Sequence, residues 1–200
     1  MTNIKLYGPR MGSSLRTHWV AAEVGTAYEA VPIDFSKAEH RSEAFLKINK
    51  MGQVPALNAG DFNLAESLAI CSYLIDVAGS DLGGKTPEAR ALAWQWSLWA
   101  SFNLQPHLST LASPNWTQQP LAPEVEAAAK AGAAKYLVLV EAHLASQPFV
   151  AGEFFSVGDI NVACVLSYAA FSKLDLSAYP SINSWLAKVT ARPAYINARG

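Results

Sequence analysis

The pattern of hydrophobic and polar positions changes after Gly79, and its two parts predict two kinds of structure. Before that point, short apolar runs and turn residues predict strand, helix, strand, helix, strand, strand and helix in order. After it, apolar residues recur with helical spacing, as Leu92, Trp96 and Trp99 do. The pattern therefore predicts an α/β domain followed by an all-helical domain.

In the first part, strands are predicted at residues 4–7, 28–33, 56–58 and 62–64. Helices are predicted from residue 13 or 14 to about 24, at 43–48 with Ser42 as N-cap, and from Glu66-Ser67 onward. The crossover helix between the first two strands predicts parallel pairing. The tight turn Ala59-Gly60-Asp61 predicts an antiparallel hairpin. Pro55, which directly follows Val54, predicts a strand start or a cis turn.

In the second part, helices are predicted from Pro87 to about 104, from Pro123 onward, at 160–171 and around 182–189, with a loop at 113–120 and a short tail after Tyr195. The helix at 160–171 is apolar nearly all round, which is typical of a helix at a domain centre. Ser156 and Asp159 have the spacing of a capping box before it. We therefore divide the chain into a domain at 1–79, a linker at 80–86 and a helical domain at 87–200.

Composition narrows the class of protein. Half of the residues are hydrophobic, which argues against disorder, and the net charge of −1 without a basic run argues against nucleic acid or anionic membrane as partner. The two cysteines lie in predicted apolar helices, so we expect buried free thiols. No leader sequence and no apolar run of membrane-spanning length is visible, and we expect a cytoplasmic protein.

Candidate chemistry lies at the two ends of the segment 51–70. Because Pro55 interrupts strand pairing, the backbone N–H and C=O of Val54 can meet a ligand. Ser67 lies in the first turn of a predicted helix, where N–H groups and the helix dipole attract an anion. A peptide-like ligand with a carboxylate fits both features, but the local features alone favour the alternative, an edge-strand proline and a helix cap without any ligand.

Several familiar motifs are missing. No G-x-G-x-x-G follows the first strand, and no G-x-S-x-G nucleophile elbow is present. The junction after the first strand reads Met11-Gly12-Ser13-Ser14 rather than C-x-x-C, which excludes a dithiol couple there. The four histidines lack metal-ligand spacing, so we expect no metal.

Several segments together resemble the glutathione S-transferase family. They are MGQVPAL at 51–57, ESLAI at 66–70, FSVGDI at 155–160, YPSINSW at 179–185 and ARPA at 191–194. They occur in the family's order and cover nearly the whole chain, with features of bacterial beta-like and plant-type members. The resemblance implies a thioredoxin-like domain (βαβαββα) with a cis Val54–Pro55 bond, a C-terminal helical bundle, and a homodimer that uses glutathione as co-substrate.

The resemblance also implies a glutathione site. Its residues are His40, Arg41, Gln53, Val54, Pro55, Glu66 and Ser67. The Val54 backbone would pair with the cysteinyl unit, and Glu66 and Ser67 would hold the γ-glutamyl end. His40 and Arg41, together with Gln53, would meet the glycyl carboxylate, for which an arginine fork is suited. The alternative for His40 and Arg41 is a solvated loop.

The hydroxyl that activates the thiol is expected near the start of the first helix, because family members use a Tyr, Ser or Cys there. Aligned with plant-type members, the serine falls on Met11, which has no hydroxyl. Aligned with beta-like members, Ser13 takes the cysteine position. We therefore expect Ser13, with Ser14 second, to stabilise the thiolate. Tyr7 at the strand end and plain helix capping by the serines are the alternatives.

The electrophile pocket implied by the resemblance lies between the domains, and its candidates are Met11, Trp99, Phe102, Asn103 and Trp116. The alternative is that the tryptophans belong to the core. Met51 stands where family dimers insert an apolar side chain into the partner. The expected activity is detoxifying conjugation of glutathione with hydrophobic electrophiles. The alternatives are a non-catalytic binding or assembly protein and a glutathione-dependent isomerase, dehalogenase or peroxidase.

Overall fold

The structure, a computed structural model, describes residues 3–200, which fall into two compact units. Unit one comprises the chain up to Leu82 together with Pro193–Gly200, and unit two comprises Gly83–Arg192. The last eight residues therefore pack with the first unit, whereas the sequence placed them with the helical domain. No helix within residues 3–200 is both long and apolar enough to cross a membrane.

Unit one contains a four-stranded mixed sheet. Its strands are β1 (Ile4–Tyr7), β2 (Glu29–Val31), β3 (Ala56–Ala59) and β4 (Phe62–Ala65), in the order β2-β1-β3-β4. β1 pairs in parallel with β2 and antiparallel with β3, and β3 and β4 form the antiparallel hairpin. The predicted thioredoxin-like topology is confirmed. β2 is shorter than the predicted 28–33, since Pro32 has no N–H to continue the ladder.

Three helices of unit one are α1 (Gly12–Glu23), α2 (Glu43–Ile48) and α3 (Ser67–Ala78), and 3₁₀ turns occur at Glu39–Arg41 and Asp81–Gly83. α1 packs against α3, and Trp19 of α1 is fully buried. Ser42 caps α2 as predicted, because its side chain accepts a hydrogen bond from the Phe45 N–H at 3.2 Å.

Unit two is helical throughout its regular structure. Its helices are α4 (Pro87–Trp99), α5 (Gln105–Ala112), α6 (Pro114–Thr117), α7 (Pro123–Leu144), α8 (Val157–Ser172) and α9 (Pro180–Thr190). α8 lies at the centre, because α4 and α5 both pack against it and every residue from Val157 to Leu166 is buried. The predicted position of this apolar helix is confirmed.

A π-helical turn at Ala100–Leu104 joins α4 to α5 without a break. The sequence predicted one helix ending near residue 104, but the helical path continues to Ala112. The predicted loop at 113–120 likewise contains the short helix α6. Both differences lie next to prolines, at Pro106 and Pro114, which occupy first-turn positions of helices here rather than ending them.

The predicted capping box at the start of α8 is confirmed. The Asp159 carboxylate accepts hydrogen bonds from the N–H groups of Ser156 and Val150, both at 2.9 Å, and from Nε1 of Trp185 at 3.0 Å. Burial raises the pKa of this carboxyl, although the bonds oppose that change. Asp159 therefore ties α8, α9 and the preceding loop together as a structural residue.

The chain ends in α10 (Pro193–Arg199), where the sequence predicted only a tail. α10 packs on α1, with the Tyr195 and Trp19 ring centroids 4.6 Å apart in an edge-to-face arrangement. Ala198 is fully buried. The helix begins at a proline, which is favourable at a first helical position.

Candidate functional site

The junction between β1 and α1 carries the predicted thiol-activating residues. Met11 is the N-cap of α1 without a side-chain cap bond, so Gly12 is the first helical residue. Ser13 and Ser14 thus lie inside the first turn, and the alternative that they cap the helix is wrong. Ser13 is half-buried and Ser14 is only 1% exposed, so the two hydroxyls differ in their access to solvent.

Gly8 brings this first turn close to Val54. Its φ is +130°, and a Cβ there would lie 2.6 Å from Ser14 Oγ and 3.1 Å from Val54 Cβ. Only glycine fits at such a conformation and so close to its neighbours. The start of α1 and Val54, which lies two residues before β3, therefore both pack against Gly8.

Val54 and Pro55 are joined by a cis peptide bond, as the resemblance implied. Within the described residues, neither the N–H nor the C=O of Val54 makes a hydrogen bond. Asn49 fixes the turn before it, because its Nδ2 donates to the Gln53 carbonyl at 2.7 Å and its Oδ1 accepts the Met51 N–H at 3.1 Å. Asn49 is 5% exposed, and the sequence reasoning did not single it out.

The start of α3 carries a strained residue and a buried cation. Glu66, the N-cap, has φ 68° and ψ 114°, a combination that residues other than glycine rarely adopt. Ser67 Oγ accepts a hydrogen bond from the Arg16 guanidinium at 3.3 Å, and Arg16 is 2% exposed. The sequence reasoning missed Arg16 as part of the site, although an arginine within the apolar stretch of α1 was a signal for it.

Arg41 lies along the turn that leads to Val54. Its guanidinium is 3.4 Å from the Met51 carbonyl, and a Cβ on Gly52, whose φ is +62°, would approach that guanidinium to 2.8 Å. The guanidinium of Arg41 is exposed, and so is Gln53. The His40 ring packs against Phe35, with centroids 5.1 Å apart. This turn therefore presents a cation beside the residues that precede β3.

All the residues predicted for glutathione, and both serines, belong to unit one, and shared neighbours connect them. Arg16 and Ser14 stand on the same helix as Ser13, while Gly52 links Arg41 to the turn before Val54. The result is the unpaired backbone of Val54, with Arg41 beside the turn before it and the start of α1 next to it, while Arg16 of α1 reaches the start of α3. Cations and helix N-termini both favour negative charge, so the region suits an extended ligand with several anionic groups.

The residues predicted for the electrophile belong to both units. Met11 is in unit one and 44% exposed. In unit two, Trp99 packs against Trp96 and Tyr136, whereas Trp116 packs against Tyr168. The two tryptophans thus belong to different aromatic groups, because Trp99 faces α7.

The π turn presents the other two predicted residues. Phe102 is 75% exposed, and the side chain of Asn103 is held by a 3.0 Å hydrogen bond to the Trp99 carbonyl. Near Trp116, unit two has a cleft of about 590 Å³, and Pro114 and Asn115 are among its lining residues. None of the four predicted residues of unit two lines that cleft.

His18 is a further buried polar residue behind the β1–α1 junction. It is 0% exposed, and its Nδ1 lies 3.2 Å from the Tyr28 hydroxyl. Its pKa is lowered from 6.5 to about 4, mainly by burial and also by the Arg10 charge, while the Gly8 backbone opposes the change in part. The ring is therefore neutral near pH 7. Within residues 3–200, no cluster of three or more His, Cys, Asp or Glu side chains is placed to hold a metal ion.

Comparison with known proteins gives consistent matches. Residues 2–76 match the model of the glutathione S-transferase N-terminal domain, and residues 102–193 match that of the C-terminal domain. The chain is 34% identical to "Glutathione S-transferase 1" of Zea mays (97% of this chain, 94% of the relative) and 30% identical to "Glutathione S-transferase F9" of Arabidopsis thaliana (96% and 94%). A solved structure of glutathione S-transferase-I bound with the ligand lactoylglutathione superimposes with a TM-score of 0.87, at 29% identity and 98% coverage of both chains.

Proposed function

Because the chain belongs to the glutathione S-transferase family, we propose that it is a transferase that holds glutathione along the unpaired backbone of Val54 and conjugates its sulfur to hydrophobic electrophiles. The observation that carries the proposal is the unpaired Val54 backbone, which Gly8 brings next to the first turn of α1. A thiol held at that edge meets a helix start, where a thiolate is favoured.

The tripeptide would bind in an extended form. Its cysteinyl unit pairs with the Val54 backbone, beside Pro55. Its γ-glutamyl end meets Glu66 and Ser67, with the Arg16 charge directly behind Ser67. The glycyl carboxylate meets the turn that carries Arg41. His40 and Gln53 flank that last contact.

Ser13 is the residue that we propose to donate its hydroxyl to the sulfur. It is half-buried in the first turn, so a bound ligand can reach it, whereas the Ser14 hydroxyl is packed against Gly8. Donation to the sulfur and the helix dipole both stabilise the thiolate, which is the reactive form. The thiolate then attacks an electrophilic carbon, and with an aryl halide a C–S bond forms while halide leaves with its bonding electrons.

Cytoplasmic location, detoxification and a homodimer complete the proposal. Met51, 48% exposed at the tip of its turn, is an apolar side chain suited to a subunit contact. Met11 in unit one remains a predicted electrophile contact, and so do Phe102, Asn103, Trp99 and Trp116 in unit two. An exposed phenylalanine in a π turn supports this, because such turns are frequent at functional sites.

One observation favours a second function. Met11, at the N-cap of α1, offers no hydroxyl where plant-type members have one. A protein that binds glutathione without turning it over fits that feature. An isomerase, dehalogenase or peroxidase would use the same thiolate and differ only in the electrophile.

The test combines calorimetry with turnover of a generic aryl halide. Ser13→Ala should lower kcat/KM by roughly a hundredfold, the usual loss when one preorganised donor to a developing charge is removed. Ser14→Ala should have a smaller effect, and Ser146→Ala, an exposed serine of unit two, is the matched control. Absence of any heat of association with glutathione would refute the proposal. Binding without turnover of any electrophile would support the second function, and loss of activity in Ser14→Ala alone would move the hydroxyl to Ser14.

A further inference from the structure

Arg10 joins the start of α1 to the last helix of the chain. It directly precedes Met11, the N-cap of α1. Its guanidinium donates hydrogen bonds to the carbonyls of Asn197 at 3.0 Å and Ala198 at 2.8 Å. A cation bound to the last carbonyls of a helix is favourable, because the dipole is negative there and these carbonyls lack helical partners.

The helix that receives Arg10 is itself firmly seated. Tyr195 packs edge-to-face on Trp19, and both Trp19 and Ala198 are fully buried. Since such close packing transmits displacement rather than absorbing it, α10 is a rigid anchor for whatever is bound to it. Arg10, the residue before the N-cap, is thereby tied to a helix that packs on α1 at Trp19.

His18 is buried near the same segment. This buried ring stands one helical turn after Ser14 and is fixed by the Tyr28 hydroxyl. It lies close enough to Arg10 and to the Gly8 backbone for both to act on it electrostatically. The segment from Gly8 to Met11 is therefore anchored on α10 through Arg10, with the neutral imidazole of His18 nearby.

We propose that Arg10 is a positioning residue: anchored on α10, it holds the first turn of α1, with Ser13, at a fixed distance from the Val54 backbone. This inference rests on the proposed function, because it concerns the site where the glutathione sulfur would lie. It adds Arg10 and α10 to the residues that define that site, although neither contacts the sulfur.

Loosening the anchor should affect chemistry more than binding. The glutathione contacts at Val54, Ser67 and Arg41 do not involve Arg10, so the KM for glutathione should stay within about twofold. The first turn of α1 would lose its fixed position and a nearby positive charge. We expect kcat/KM for an aryl halide to fall roughly tenfold, since a displacement of about 1 Å can cost a hundredfold. The pKa of the bound thiol should rise by about 0.5.

The experiment compares Arg10→Gln, Arg10→Lys and Tyr195→Ala with Arg199→Gln, an exposed arginine on the same helix. The thiol pKa of bound glutathione is read from thiolate absorbance against pH, alongside kcat and KM. Hydrogen exchange at the Leu15 amide, which donates to the Met11 carbonyl at 3.3 Å, reports the helix start without glutathione. Tyr195→Ala loosens α10 while Arg10 is intact. Arg10→Lys keeps the charge and is the variant to use if Arg10→Gln does not fold.

We expect faster exchange at Leu15, a raised thiol pKa and lower kcat in Arg10→Gln, a fall in kcat with little change of thiol pKa in Arg10→Lys, and wild-type behaviour in Arg199→Gln. If the Arg10 variants keep the wild-type thiol pKa and kcat and lose only thermal stability, Arg10 is purely structural and the inference is wrong. If the wild-type protein binds no glutathione, the proposed function fails instead. That case is distinguished because calorimetry of the unmodified protein alone decides it.

Discussion

At the scale of single residues, unit one is defined by polar side chains that are buried for a reason. Arg16 supports Ser67, Asn49 shapes the turn before Val54, and His18 backs the β1–α1 junction. Each of these side chains is buried, where an unpaired polar group costs about 1–3 kcal/mol. We therefore infer that each one serves to position the group that it contacts. His18 also makes the stability of the protein depend on pH.

His18 should make the native state less stable in mild acid. Its pKa of about 4 lies below the ordinary 6.5, so the unfolded chain binds the proton first as the pH falls. Stability is then fully present above the ordinary value and is lost as the pH drops toward 4. Between pH 7 and about pH 5 this should remove about 2 kcal/mol from the free energy of unfolding.

Urea unfolding at several pH values measures this loss. His18→Gln, which cannot titrate, should show a pH slope flatter by that amount, whatever its stability at neutral pH. Tyr28→Phe keeps the ring buried and should retain the slope. Parallel slopes for wild type and His18→Gln would contradict the assignment of the effect to this ring.

The sequence revealed part of the site and hid the rest for a physical reason. Val54, Pro55 and Ser67 were found because a proline in a strand pattern and a serine at a helix start are local signals. Arg16 and His18 were not found, because the role of each depends on a partner distant in sequence, Ser67 for Arg16 and Tyr28 for His18. The spacing of apolar residues reports which face is buried, not which buried polar group has found a partner.

At the scale of elements, the proposed chemistry lies at helix starts. The N-cap residue of α3, Glu66, has a strained backbone conformation. Glu66 has a φ of 68°, which costs of order 1–3 kcal/mol for a residue with a Cβ. Such strain persists where a particular side chain is needed at that position. The strained residue here is one that we propose to hold the γ-glutamyl end of glutathione.

Glu66→Gly should stabilise the protein while weakening its function. Glycine adopts this conformation without strain, so the free energy of unfolding should rise by about 1 kcal/mol, less the added freedom of the unfolded chain. Affinity for glutathione should fall because the carboxylate is lost. Glu66→Ala is the matched control, since it loses the carboxylate but keeps the strain, and it should weaken binding without stabilising. Denaturant unfolding and calorimetry check both quantities, and a destabilised Glu66→Gly would contradict this account.

Prediction of the elements succeeded where local patterns dominate. The strands β1, β3 and β4, the caps of α2 and α8 and the central α8 follow from alternation, capping residues and an all-apolar run. The π turn and α10 did not follow from them. A π turn changes the helical register without changing composition, and α10 is too short to be a stable helix without its contact with α1.

At the scale of the whole molecule, the chain returns to its first unit at the end. α10 covers Trp19 of α1, although about a hundred residues of unit two intervene in sequence. The first unit is therefore incomplete until the last helix of the chain is present. Folding of unit one depends on contacts of high sequence separation, which generally form late.

Truncation after Arg192 should destabilise unit one. It removes the cover of Trp19, and the newly exposed apolar surface should lower the free energy of unfolding by more than about 2 kcal/mol. Truncation after Arg199 keeps Tyr195 and both peptide carbonyls that Arg10 binds, so it is the control and should change little. Hydrogen exchange of the α1 amides and urea midpoints measure the effect. Equal midpoints for the two truncated chains would show that α10 adds no stability.

The π turn at Ala100–Leu104 has a consequence for how unit two tolerates change in length. A turn of this kind is equivalent to one extra residue in a continuous α-helix, so residues beyond it are rotated by about 100° from the phase they would otherwise have. α4 and α5 lie on either side of the turn, and both pack against α8. Excision of a single residue from the bulge would straighten the hydrogen bonding yet turn Leu108 off its buried side. The π turn thus lets the apolar stripes of α4 and α5, which differ in helical phase, face the same helix, α8.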